Sequence, residues 1–272
     1  LDGYRQPAMI IGNYFKLVYR NSARGDAISM GRAEHNWAEI SYNNLQGWSD
    51  DGLDAFHALN YIIEYNTFTQ NNSFVNRTGG SAIKLGSRGW EDNDPNKGYT
   101  SGFSGGAICR YNLINKVDQG GQPHGINSSG GDAHGKSINT GIETITIGKS
   151  YVYGNMVYGT GKNAMQFNGI YGEDWEVYNN LFISKGAKGV NTFNCQNMND
   201  MVFKNNIFSS ATSDIKGQHN ILLRGYTSHG YTINPTDKSA DLNDIFTETQ
   251  NLGESDISAA SPSINEGDAF GL

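Results

Sequence analysis

Apolar and polar positions along the chain fall into two short phrases that recur together. The first is an apolar residue, two positions, Asn, one position and a second apolar residue. It reads Ile10-Ile-Gly-Asn13-Tyr-Phe15, Ile40-Ser-Tyr-Asn43-Asn-Leu45 and Ile63-Glu-Tyr-Asn66-Thr-Phe68, then Cys109-Arg-Tyr-Asn112-Leu-Ile114, Val152-Tyr-Gly-Asn155-Met-Val157, Val177-Tyr-Asn-Asn180-Leu-Phe182 and Phe203-Lys-Asn-Asn206-Ile-Phe208. The second is a small residue, an apolar residue and a polar one: Ala27-Ile28-Ser29, Gly52-Leu53-Asp54, Ala82-Ile83-Lys84, Gly125-Ile126-Asn127, Ala164-Met165-Gln166 and Gly189-Val190-Asn191. An apolar centre between polar flanks marks a strand with one buried face. The Asn-to-Asn steps of the first phrase are 30, 23, 46, 43, 25 and 26. A period near 23 to 26 emerges, with 46 reading as two turns and the other long steps as turns carrying inserted loops.

Short strands at such a period, with Gly and Asn at the corners, predict an all-β chain wound as a right-handed parallel β-helix whose coils stack about 4.8 Å apart. The repeated Asn suits a corner, where it adopts the left-handed conformation and hydrogen-bonds its equivalents through its amide. A sandwich does not repeat one Asn phrase seven times in register, and propeller blades run to roughly 40 to 50 residues. The pattern shows no domain boundary: 87–106 and 128–142 read as loops leaving the coils, and 237–272, where the period is lost, as a cap on the open end. The chain starts at Leu1 with no signal peptide and soon enters strand-like sequence, which reads as a processed or truncated form lacking N-terminal coils.

Composition narrows the function classes. With 35 Gly, 5 Pro, 37% hydrophobic and 17% charged residues, the chain of 272 residues has the apolar bulk for a core and too little charge for disorder. Its net charge of −7 supplies no basic field for nucleic acid or an anionic membrane, so a polyanionic ligand needs a local basic cleft or a bridging cation. No apolar run approaches the roughly 20 residues of a membrane span. Cys109 and Cys195 fall at different phases of the repeat, which favours free buried thiols over a disulfide, and a monomer is expected.

The most charged stretch is Asp50-Asp51-Gly52-Leu53-Asp54. Aligned on the second phrase, Asp26 stands in one column with Asp51 on the adjacent coil, and Asp54 shares a column with Ser29, Lys84 and Asn127. Like charges about 4.8 Å apart repel by roughly several kcal/mol when shielded from water. Protonation would relieve that repulsion, as would a hard cation, for which several carboxylates in a flexible arrangement fit Ca²⁺ better than octahedral Mg²⁺. No His or Cys joins the cluster, which argues against zinc. An exposed acidic rim with no ligand is the alternative.

An Asp on one coil, Asp-Asp-Gly-X-Asp on the next and the strand Ile83-Lys84-Leu85-Gly86 on the third resemble the family 9 polysaccharide lyases, pectate lyases of the parallel β-helix class. The likeness spans Asp26 to Gly86, and the Asn-rich coils extend it to about residue 210. It implies that Asp26, Asp50, Asp51 and Asp54 hold Ca²⁺ and that Lys84 is the base for β-elimination of an acidic polysaccharide, with pectate the first expectation. Leu53 stands where an aromatic residue is expected inside the motif. Arg88, Trp90, Tyr99, Asn127 and His124 are candidate substrate contacts, each weighed against packing or solvated roles. Two other classes stay open: a polygalacturonase-like hydrolase, whose Asn-Thr-Asp and Arg-X-Lys companions are absent here, and a calcium-clamped adhesin or carbohydrate-binding β-helix. The ending Ala260-Ser-Pro262-Ser-Ile-Asn-Glu-Gly267-Asp268 fits exported bacterial β-helix proteins, whether secreted, periplasmic or at the cell surface.

Overall fold

The computed structural model describes residues 8–16, 26–30, 38–48, 51–55, 61–69, 81–86, 107–115, 125–129, 149–168, 172, 175–184, 188–193, 195, 197–225 and 231–245. Three parallel sheets run side by side, and each of the first six turns adds one strand to each of them. The first sheet orders Ala8–Ile11, Ala38–Ser41, Tyr61–Glu64, Ala107–Arg110, Ser150–Tyr153, Trp175–Tyr178 and Val202–Lys204. The second begins with Tyr14–Lys16, Asn44–Gln46, Thr67–Thr69 and Leu113–Asn115, and continues with Met156–Thr160, Leu181–Ser184, Ile207–Phe208, Ile221–Leu223 and Lys238–Ala240. The third stacks Ile28–Ser29, Leu53–Ala55, Ile83–Gly86, Ile126–Ser129, Met165–Asn168 and Val190–Phe193. This is the all-β parallel β-helix that the repeat predicts.

Alternation fixes which side chains point inward. Ile40, Ile63, Cys109, Val152, Val177 and Phe203 form one buried column, and Leu45, Phe68, Ile114, Val157, Phe182 and Phe208 another. Leu53, Ile83, Ile126, Met165 and Val190 line the third wall. Cys109 is a free thiol that fills an apolar place, and burial pushes its pKa far above the ordinary value. Cys195 forms no disulfide either, and it is only half-buried. A second apolar cluster lies outside this core: Leu181, Ile183, Ile221, Leu223 and Ala240 pack with Ile245 of the short helix Leu242–Ile245.

The Asn phrase builds a ladder at the corner between the first two sheets. Each buried Asn donates its amide to a backbone carbonyl of the preceding coil, as in Asn112 Nδ2 to Ile63 O at 2.9 Å. Its Oδ1 meanwhile accepts both the backbone N–H and the Nδ2 of the preceding ladder residue, as Asn112 Oδ1 does from Asn66 at 3.1 and 3.0 Å.

Two expectations are corrected here. The left-handed residue is not the ladder Asn but the one before it: Gly12, Tyr42, Tyr65, Tyr111, Gly154, Asn179, Asn205 and His219 all have positive φ. That single residue turns the chain and leaves the Asn itself free to point inward. The step of 46 is also one turn and not two, because Ala107–Arg110 pairs directly with Tyr61–Glu64. The ladder runs further than the phrase does, through Asn220 to Asp237, whose Oδ1 accepts the Asn220 N–H at 2.9 Å. The segment read as a cap therefore begins as a ninth strand of the second sheet, and 246–272 lies outside the described residues.

A bulky side chain at positive φ is disfavoured, yet Tyr42, Tyr65 and Tyr111 occupy such positions on successive coils. Their rings stack, with centroids 5.0 and 5.2 Å apart, and such contacts contribute about 1 kcal/mol per pair. Tyr65→Ala, which keeps the strain and loses both stacks, is expected to destabilise more than Tyr65→Gly, which loses the stacks and relieves the strain, by about 1 kcal/mol in a urea titration. Equal losses would show that Tyr65 bears no backbone strain.

Candidate metal centre and adjacent lysine

The third sheet brings the acidic residues together as the alignment predicts. Ile28 pairs with Leu53 and Ser29 with Asp54, and Asp54 pairs in turn with Lys84. Asp26 and Asp51 enter the sheet one step earlier, at the bends that lead into these strands. A Cβ at Gly52 would meet the Ala82 carbonyl oxygen of the next coil at 2.5 Å, so the close stacking of the coils accounts for the glycine inside the acidic motif.

Backbone amides of successive coils orient the carboxylates. The Asp51 N–H donates to Asp26 Oδ1 at 3.0 Å, and the Ser81 N–H donates to Asp51 Oδ1 at 2.7 Å. Each bond ties one oxygen of a carboxylate to the following turn. One carboxylate oxygen from each of Asp26, Asp51 and Asp54 lies within 4.8 Å of the other two. Asp51 is nearly buried, its side chain 5% exposed, while Asp54 and Lys84 are 22% and 26% exposed. Three hard oxygen donors from two adjacent coils, Asp26 on one and Asp51 with Asp54 on the next, with no nitrogen or sulfur donor in the group, form a cluster able to hold a metal ion.

Lys84 Nζ sits against this cluster, 3.2 Å from Asp51 Oδ2 and 3.4 Å from Asp54 Oδ2. Burial lowers the pKa of its ammonium. The charges and hydrogen bonds of Asp51 and Asp54 more than reverse that, holding it above the ordinary lysine value. As it stands, the amine is the counter-ion of the carboxylates.

Of the other sequence candidates, Asn127 lies on Ile126–Ser129, in register between Lys84 and Gln166. Asp50, Arg88, Trp90, Tyr99 and His124 lie outside the described residues.

Sequence reasoning passed over a network further along the same sheet. Gln166 Oε1 accepts from Asn163 Nδ2 at 2.6 Å and from Asn191 Nδ2 at 2.7 Å, and Asn163 Oδ1 accepts the Lys188 N–H at 3.1 Å. Gln166 and Asn191 close their instances of the small-apolar-polar phrase, in the column that holds Asp54 and Lys84, and that shared position was the signal available. No helix among the described residues is long and apolar enough to cross a membrane. Comparison of the chain with protein-family models, curated proteins and solved structures found no match.

Proposed function

We propose that this chain is a calcium-dependent polysaccharide lyase of the family 9 type, cleaving a uronate polymer, pectate first, by β-elimination with Lys84 as base. The observation that supports this reading is the lysine amine lying within hydrogen-bonding distance of two of three clustered carboxylates. The donor set fits Ca²⁺, because all three ligands are hard carboxylate oxygens, which suit a large ion of flexible coordination. A calcium ion bound by Asp26, Asp51 and Asp54 would compensate their charge, draw in the substrate carboxylate and thereby acidify the neighbouring C5 proton.

In the reaction, neutral Lys84 Nζ takes the proton from C5, and the C5–H electron pair becomes the C4=C5 double bond. The bond from C4 to the glycosidic oxygen breaks, and that oxygen leaves with its electron pair and takes a proton from water. Asp51 and Asp54 hold the amine in place, and the backbone N–H groups of Asp51 and Ser81 keep the carboxylates of Asp26 and Asp51 from turning. A substrate of this kind places the protein outside the cytoplasm.

The double bond absorbs in the near ultraviolet, which separates elimination from hydrolysis directly. The expected result is absorbance that grows with pectate and calcium and stops on adding a chelator. Only the neutral amine accepts a proton, and an ordinary lysine is almost fully protonated at neutral pH, so the rate is expected to rise with pH into the alkaline range. A rate maximum at acidic pH would exclude Lys84 as the base.

The ion pairing of Lys84 with Asp51 and Asp54 also favours a second reading, in which the lysine and the metal only clamp coils of a binding scaffold. A protein that binds the polymer without producing ultraviolet absorbance would establish that reading.

A further inference from the structure

The outer face of the third sheet does not end in function at Lys84. The positions in register with Lys84 are Ser29, Asp54, Asn127, Gln166 and Asn191, so hydrogen-bonding residue types occupy this place on every coil. The described network of this column is built to hold one group still. Gln166 is buried, its Oε1 accepts from two amides and its Nε2 donates to Phe167 O at 3.0 Å. Asn191 is anchored through its Nδ2, and no hydrogen bond among the described residues engages its Oδ1.

Two residues on, Phe193 projects from the same face of the same strand and is 59% exposed, although every other phenylalanine in the described core is buried or half-buried. Packing does not account for an exposed aromatic ring beside a fixed amide. A ring that offers a face together with a few placed polar groups is the usual make-up of a site for a sugar.

Asn191 lies three coil steps from Lys84, about 14 Å at the strand spacing of a sheet. Only an oligomeric ligand touches both. We propose that Phe193 and Asn191 form a distal subsite for a polysaccharide chain lying along the third sheet, the Phe193 ring stacking on a pyranose and the Asn191 amide bonding its hydroxyls, while Gln166 and Asn163 act as positioning residues. The inference rests on the lyase reading for the nature of the chain, but the contacts it assigns are to neutral groups of the sugar.

The test uses oligogalacturonates of increasing length with calcium, reading both binding by calorimetry and elimination by ultraviolet absorbance. Affinity is expected to rise once the chain is long enough to reach Phe193. Phe193→Ala and Asn191→Ala should each remove about tenfold of that gain, while the shortest oligomers bind and react as with the wild type. Phe193→Trp should restore the gain, and raised salt should leave it largely intact, because amide and ring contacts are not ion pairs. Wild-type affinity independent of length, or either alanine variant keeping the full gain with an unchanged melting temperature, overturns the subsite. Length-dependent binding without elimination, abolished by Phe193→Ala, would sustain the subsite and remove the lyase reading.

Discussion

Lys84→Ala is expected to fold, to bind calcium at least as well as the wild type, and to lose turnover of a uronate polymer by about a hundredfold to ten-thousandfold, the range that a positioned general base contributes. The direction for calcium follows from the site. The ammonium pairs with Asp51 Oδ2 and Asp54 Oδ2, so its removal leaves the carboxylates with less counter-charge and a stronger demand for a cation. With a chelator present the same variant should melt lower than the wild type, because nearly buried Asp51 is left uncompensated, and calcium should return the lost degrees.

Lys84→Arg separates the base from the mere counter-ion. Guanidinium keeps the positive charge and the ability to pair with carboxylates, but it does not give up its proton at any working pH. A base lost to arginine stays lost, whereas a neutralising role is rescued. Activity within a few-fold of the wild type in Lys84→Arg would remove the assigned mechanism while leaving the metal cluster untouched.

The largest effect on stability is expected from Asn112→Leu. Asn112 is buried and holds together three coils: it donates to Ile63 O and to Asn155 Oδ1, and it accepts two bonds from Asn66. Leucine fills a similar volume but strands the Asn66 N–H, takes the amide donor from the Ile63 carbonyl, and removes one bond each from the Asn66 and Asn155 side chains, which keep their others. Each stranded group costs about 1 to 3 kcal/mol and each further lost bond about 1 kcal/mol, so a total of about 4 kcal/mol is expected, a large share of the stability of an ordinary domain. In a chain of this size that lowers the melting temperature by about 10 °C. Asn13 is the control. It is exposed on the first described coil and only donates into the ladder, so Asn13→Leu should cost about 1 kcal/mol. Equal melting temperatures for the two variants would mean that the ladder does not hold the coils.

The winding and the acidic column were legible because strand pairing is exact to the residue. Once the small-apolar-polar phrase is aligned, a side-chain period of two leaves no freedom about which groups face outward together, and Asp54 had to meet Lys84. Turn length carries no such constraint, which is why the step from Asn66 to Asn112 misread as two coils. The ladder beyond Asn206 was hidden for the opposite reason, since the steps of 14 and 17 that reach Asn220 and Asp237 are too short for the period. The left-handed corner was assigned to Asn on intrinsic preference, and tyrosine, which dislikes that region alone, holds it here by stacking on its neighbours. Phe193 escaped notice because an apolar residue at the end of a strand reads as core until its surroundings are seen.

One rise of the solenoid takes 23 residues between Asn43 and Asn66 and 46 between Asn66 and Asn112, yet the strands on either side pair without a shift. Chain can therefore be added to or trimmed from the connecting segments while Asp51, Asp54 and Lys84 keep their mutual positions. On the lyase reading, a wall of this kind would let descendants trade one polymer for another by rewriting its borders, with the chemistry at its centre inherited unchanged.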